Sequence, residues 1–270
     1  MRVLLLLLAL LAFGARAEDG PRVISLAPSM SEIMLELHAE DLLVGVLDGG
    51  ERPAALSGLP SVGRHGQLDL ERLLSLKPDL LLLWPDSVAP AQRDQLRRLG
   101  IATFVGEPKD IDQLIGQIEA IGQRVGRAEQ SRQYAQALRE RLRSLREQYR
   151  RERPLRVFYQ VWDKPLYTLG GRQIVSDALT VCGASNLFAD LPQPAPQVSV
   201  EAVLLRDPDV ILAGDATQLA SWKTWRTLSA VKADRLLVVP DKGLERPSGQ
   251  MIEATARLCA LLDARAAVSR

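Results

Sequence analysis

The chain has 270 residues, 47% of them hydrophobic and 25% charged, with a formal net charge of +1. That balance excludes the strong electric field of a nucleic-acid or acidic-membrane binder, and it supplies apolar material for one large core or two ordinary ones. Of two histidines one is expected to pack on a helix, and the two cysteines are expected to pair with each other, so one accessible His with no Cys partner cannot build the three-His or four-ligand sites that hold bare zinc or manganese.

Met1–Ala17 reads as a secretory signal. Arg2 gives a positive start, Val3 to Phe13 is apolar, and Ala15-Arg16-Ala17 has the small-x-small form of a cleavage site. The apolar run is too short for a permanent membrane anchor, and no Cys follows the cut to carry a lipid. The expectation is an exported, soluble chain beginning near Glu18. In an oxidising compartment Cys182 and Cys259 are expected to pair and staple the second half of the fold, with two free buried thiols as the alternative.

The first half alternates strand and helix. Arg22 to Ala27 is a strand, and Ser29 with Glu32 three residues on predicts a capping box that opens a helix bearing Ile33, Met34 and Leu37. His38 is expected to pack on that helix. Strands follow at Leu42–Leu47 and Pro60–Gly63, the first ending in the loop Asp48–Pro53 and the second in Arg64-His65-Gly66. A short helix with Glu71 on its first turn leads through Pro78-Asp79 to a strand, Leu80–Leu83, that ends on Trp84. A helix at Pro90–Leu99 closed by Gly100, a strand at Ile101–Val105 and a helix at Ile111–Val125 complete the half.

Between Arg127 and Arg153 there is neither Gly nor Pro, and Tyr134, Leu138, Leu142, Leu145 and Tyr149 recur every three or four residues. This predicts one amphipathic helix roughly 35 to 40 Å long at about 1.5 Å per residue. The alternation then restarts. Leu155 to Val161 is a strand ending on Trp162, Leu166–Gly171 a hairpin arm bearing Tyr167, and Gln173–Val181 a helix. Asn186–Gln197 holds three prolines and reads as a surface loop. Ser199 caps a helix bearing Glu201, and strands at Val210–Ala213 and Arg235–Val239 frame a short helix with Trp222 and Trp225. The loop Asp241–Gly249 and a closing helix, Gln250–Asp263, end the chain.

The two halves repeat one phrase. Leu70-Glu71, Pro78-Asp79 and Leu80–Leu82 return as Val200-Glu201, Pro208-Asp209 and Val210–Leu212, at an offset of 130 residues. The plainer reading is that helix, Pro-Asp and buried strand meet by chance. The fuller one is two similar lobes, residues 18–126 and 154–270, joined by the helix at 127–153. The predicted class is α/β: two Rossmann-like lobes, each with a mainly parallel sheet, bridged by one long helix with a ligand cleft between them.

Catalytic motifs are missing: there is no GxSxG elbow, Walker loop or dinucleotide fingerprint. What stands out is a set of residues in loops after strands: His65, Trp84, Trp162, Tyr167 and Arg246, with Asp241 nearby. Rings with few charges suit a wide, flat, mostly apolar ligand. Core packing is the alternative for each ring.

Several stretches carry a family resemblance: Val23-Ile-Ser-Leu-Ala-Pro-Ser-x-x-Glu32, Val44-Gly-Val46, Leu70-Glu71 through Pro78-Asp79, Val181-Cys182-Gly183-Ala-x-Asn186-Leu-Phe188 and Pro196-Gln-Val-Ser199-x-Glu201. Over nearly the whole exported chain the sequence resembles the helical-backbone substrate-binding proteins of ABC importers, and within them the branch that carries cobalamin. The resemblance implies little hinge closure, a monomer delivering cargo to a permease dimer with its ATPase subunits, and no resident cofactor or catalysis. Glu71 and Glu201 match the pair that docks onto permease arginines. Trp84 matches a ligand-facing Trp, Tyr167 stands where the branch has Phe, and Glu245-Arg246 matches a loop that meets the corrin amides. Three rings of the branch are replaced, by Gly49, His65 and Ala195, and the loop Asp241–Arg246 is one residue longer. Another corrinoid, heme or a metal-siderophore chelate is therefore the competing ligand, with Tyr167 or His65 as an axial ligand in the heme case. An exported enzyme on a similar two-lobe frame is a further, catalytic alternative.

Overall fold

A computed structural model describes residues 20–49 and 52–267; the signal segment Met1–Ala17 lies outside the described residues. The first half builds β1 (Val23–Ser25), α1 (Pro28–Glu36), β2 (Leu43–Asp48), β3 (Ser61–Arg64), β4 (Gln67–Leu68), α2 (Leu70–Ser75), β5 (Leu80–Leu83), α3 (Pro90–Arg98), β6 (Ala102–Val105) and α4 (Ile111–Arg124). Its sheet has the order β4-β3-β2-β1-β5-β6 and is parallel apart from the β3–β4 hairpin. The hairpin is an addition to the predicted elements: Gly63 and Gly66, both with positive φ, turn the chain tightly around His65. β5 is buried along its whole length, as an uninterrupted Leu run in a sheet covered on both faces must be.

α5 (Ala128–Gln148) is the long helix. It closes five residues before the predicted end at Arg153. Beyond Tyr149 the sequence is Arg-Arg-Glu-Arg, which offers no apolar residue for another turn to bury. The second half builds β7 (Leu155–Asp163), β8 (Leu166–Thr168), α6 (Ile174–Val181), β9 (Ala184–Asn186), α7 (Val200–Arg206), β10 (Val210–Ala213), α8 (Ala216–Ala220), α9 (Ser229–Lys232), β11 (Leu236–Val238) and α10 (Gln250–Ala267). Its sheet runs β11-β10-β7-β8, with β9 paired parallel to the start of β7. The architecture is two mainly parallel sheets, one per half, with α5 between them.

The repeat is physical as well as textual. Asp79 accepts the N–H of Arg22 at 2.8 Å and returns its own N–H to the Arg22 carbonyl at 2.8 Å. Asp209 does the same with Arg156, at 2.8 Å in both directions. Each Arg side chain then caps carbonyls at the end of the preceding short helix, Leu76 and Lys77 in one half and Asp207 in the other. Lys77 and Asp207 both take a left-handed conformation there. Equivalent residues make equivalent bonds, which supports the two-lobe reading over a chance likeness.

The inner faces of the two sheets share one apolar core that includes Val23, Ile33, Ile115, Leu142, Val157, Leu179 and Leu258, and so crosses from half to half through α1, α4, α5, α6 and α10. Separate clusters lie under α2 and α3 and under α7 to α9. The lobes are therefore packed on each other as well as strung on a rod. The expected staple forms: Cys182 at the end of α6 is bonded to Cys259 in α10, with Cα atoms 4.6 Å apart.

Two local expectations are corrected. Ser29 is not a cap. Pro28, with its fixed φ and no N–H to satisfy, takes the first helical position after Ala27, which pushes Ser29 into the first turn and frees Glu32 for another partner. His38 is exposed beyond the end of α1 at φ +50° instead of packing on it.

Candidate functional site

The carboxyl ends of the strands of both sheets converge on one cleft of about 540 Å³. This is the place an open α/β sheet offers a ligand, because strands end there and helices begin. One wall comes from the first lobe: Leu26 to Ser29 between β1 and α1, Leu47 to Gly49 after β2, His65 on the β3–β4 turn, and Trp84 with Ser87 after β5. The facing wall carries Tyr159 and Val161 of β7, Leu169, Gln173 to Val175 at the start of α6, Ala195, and Leu244 to Pro247 after β11. The N-termini of α1 and α6 thus reach the cleft from opposite sides, each bringing first-turn N–H groups and the positive end of a helix dipole.

Local chemistry fixes the wall residues. Trp84 leaves β5 at a single turn, Pro85–Ser87, where its N–H donates to Ser87 Oγ at 3.2 Å and its carbonyl accepts from Ser87 N at 3.0 Å. The ring is partly buried in the wall. Asp48 is held below the usual carboxylate range by bonds from Ser61 and Arg52. Buried Tyr159 has its hydroxyl 3.4 Å from Glu245 Oε1, and its phenol is pushed above its ordinary value by burial and then by the Glu245 charge. Arg246 follows the turn Lys242–Glu245 and pairs with Glu32 of α1 at 2.9 Å.

Of the residues singled out in the sequence, His65, Trp84, Glu245 and Arg246 line the cleft. Trp162 and Tyr167 face each other across the β7–β8 hairpin, whose base at Val161 and Leu169 lines the cleft, and they lie beyond its wall. Asp241 also lies outside: it accepts Gly243 N–H at 2.8 Å and pairs with Arg257, so it shapes the turn that presents Glu245 and Arg246. Glu71 and Glu201 stand exposed on the first turns of α2 and α7, at equivalent points of the two lobes. Gly49 and Ala195 are both in the wall and bring no ring to it. Sequence reasoning missed Tyr159, Gln173 and Leu244. Tyr159 sits inside a strand, where alternation reads as core, and Gln173 is signalled only by its place before a helix.

Among the described residues, no three His, Cys, Asp or Glu side chains gather as metal ligands, and no helix is long and apolar enough to cross a membrane. The cleft can grip a broad apolar ligand and bond polar groups on its edge.

Residues 23–242 match the family model for periplasmic binding proteins. The chain is 34% identical over 251 residues to the vitamin B12-binding protein of Vibrio cholerae, covering 92% of this chain and 91% of that one. The crystal structure of the periplasmic vitamin B12 binding protein of Vibrio cholerae superposes with a TM-score of 0.81, over 91% of this chain and 98% of that one. The periplasmic heme-binding protein of Vibrio cholerae, 22% identical, shares the fold with a TM-score of 0.77 over 90% and 98%. With two sheets, a bridging helix and a cleft at facing strand ends, the chain belongs to the periplasmic binding protein family.

Proposed function

We propose that the protein is a periplasmic receptor that captures cobalamin or a related corrinoid and delivers it to an ABC importer, without chemistry of its own. The carrying observation is the apolar inter-lobe cleft with Trp84 on one wall and Glu245-Arg246 on the other, in a chain 34% identical to a vitamin B12-binding protein. Trp84 stacks on the flat macrocycle while Arg246, Glu245 and Gln173 meet its peripheral amides. His65 takes up part of the space that Gly49 and Ala195 leave open. A corrinoid overfills the cleft, so its edge reaches Trp162 and Tyr167 on the hairpin, with Asp241 bracing the turn beneath Arg246.

The lobes are residues 18–126 and 154–270, with 127–153 as the connection. The signal at 1–17 is removed on export. The receptor acts as a monomer whose ligand is cargo and not a cofactor. Glu71 and Glu201 present one carboxylate per lobe to a two-fold permease dimer, which with its ATPase subunits completes the importer.

Competition binding tests the ligand. Purified protein is offered cyanocobalamin, hemin and a ferric hydroxamate, each alone and in pairs. The expected result is saturable uptake of cyanocobalamin that the other two do not displace. Preferential uptake of hemin, with an absorption spectrum altered in His65→Ala, assigns the cleft to heme instead.

A further inference from the structure

The lobes hold each other by carboxylates that reach across the divide. α1 of the first lobe ends in Glu36, which accepts the N–H groups of Gly249 at 2.8 Å and Gln250 at 3.0 Å and so caps α10 of the second lobe. α6 of the second lobe carries Asp177, which accepts the N–H of Ile111 at 3.0 Å and so adds a cross-lobe cap to α4 of the first, beside its own cap Asp110, which accepts the N–H of Gln113 at 2.7 Å. Gln250 and Ile111 are the first residues of their helices, and α10 and α4 follow the last strand of their respective sheets. The capping is therefore reciprocal between the lobes, although Glu36 closes α1 whereas Asp177 stands on the first turn of α6. A carboxylate at a helix N-terminus meets unpaired N–H groups and the favourable end of the dipole, so each contact is directional.

Glu32, one turn before Glu36, extends the first clasp to Arg246 in the cleft wall. It is buried and accepts from Arg246 Nη1 at 2.9 Å, from Ser248 Oγ at 3.1 Å and from the Gln250 side-chain amide. Arg246 belongs to the second lobe and lines the cleft, yet its anchoring carboxylate belongs to the first. The clasp has no slack: a Cβ on Gly249 would lie 2.0 Å from the Tyr134 hydroxyl of α5 and 2.9 Å from Glu36 Oε2.

We propose that this reciprocal capping sets the width of the cleft, and that Glu32 is a positioning residue that holds Arg246 against the ligand. Separating the lobes then removes the Arg246 partner and the ligand contact in one event, so release is coupled to opening of the clasp. The ligand half of this inference rests on the corrinoid reading, whereas the clasp itself does not.

Two measurements on the full exported chain test it. Amide hydrogen exchange without ligand follows Gly249 and Gln250 in Glu36→Ala and Ile111 in Asp177→Ala. Each substitution is expected to speed exchange at its capped amides in the opposite lobe by about tenfold or more, with the β1 and β5 amides unchanged. Unchanged exchange at the capped amides overturns the clasp. Cyanocobalamin titrations then compare Glu32→Ala, Arg246→Ala and the double variant. If Glu32 acts through Arg246, each single variant weakens binding about tenfold or more, and the double variant is no weaker than Arg246→Ala. Additive losses assign Glu32 a general structural role and overturn the positioning claim. Wild-type protein that takes up no cyanocobalamin refutes the ligand reading and with it the Arg246 role, while the exchange result still decides the clasp.

Discussion

In the proposed corrinoid reading, Trp84 is the residue on which ligand recognition turns. It is the one Trp in the cleft wall, its backbone is fixed by Ser87, and Gly49 and Ala195 offer no ring to share the stacking. Replacing it with Ala is expected to weaken cobalamin binding about ten- to a hundredfold while leaving the thermal midpoint within a few degrees, since the ring is only partly buried. Equal loss of folding and binding would instead assign Trp84 to the core. Glu71 and Glu201 make the opposite prediction. Exchanging both for Arg is expected to abolish importer-dependent uptake while cobalamin affinity in solution stays unchanged, and a fall in affinity would place them in the wrong role. Trp84, His65 and Arg246 were legible in the sequence because loops after strands collect at one edge of a parallel sheet. Glu32 was misread as half of a capping box, because its partners lie more than 200 residues away and no local pattern encodes them. Tyr159 was hidden by its place in a buried strand.

At the scale of elements, α5 is held on both sides. Arg139 and Arg146 pair with Glu119 and Asp112 of α4, and Arg141 pairs with Glu253 of α10. These are exposed pairs worth about 0 to 1 kcal/mol each, so apolar packing carries the contact. At its closest point Gly122 of α4 meets Ser131, and a Cβ there would lie 2.2 Å from the Ser131 Cβ. Gly122→Ala gains about 1 kcal/mol of helix propensity but overpacks a fully buried seam at about 1 to 3 kcal/mol. Net destabilisation in urea is expected, and a stabilised variant would mean the helices separate readily. The clasp carboxylates supply a pH signature. Burial raises Glu36, assisted by neighbouring Glu32, above its ordinary value despite the N–H bonds it accepts, and Tyr134 of α5 faces it. Burial likewise raises Asp177, which faces Arg146, Asp110 and Asp112. The folded chain therefore binds protons there that the unfolded chain has released, and their contribution to stability grows as pH falls from neutral toward about 4. Wild type is expected to gain stability relative to the Glu36→Gln, Asp177→Asn double variant between pH 7 and pH 5. A constant or shrinking difference would contradict the sign. The period of the long helix was readable from sequence. Its end was not, because charge and propensity continue after the apolar stripe has stopped.

For the whole molecule, the repeat explains why two lobes face each other. Equivalent Pro-Asp strands and equivalent Arg caps recur in both halves, and a shared core with the cross-lobe carboxylates keeps the halves at one spacing, while the Cys182–Cys259 staple ties α6 to α10 within the second half. Two α/β halves and a linking helix could be read from alternation and a 130-residue offset. The continuous core between them could not, since apolar helix faces do not say which neighbour they cover. A receptor built this way presents a preformed slot, which favours binding by limiting the ordering that association requires. Calorimetric titration of cyanocobalamin into the exported chain tests this most directly: one mole bound per mole of protein in a single saturable step is the predicted result, and no saturable heat up to millimolar ligand would contradict it.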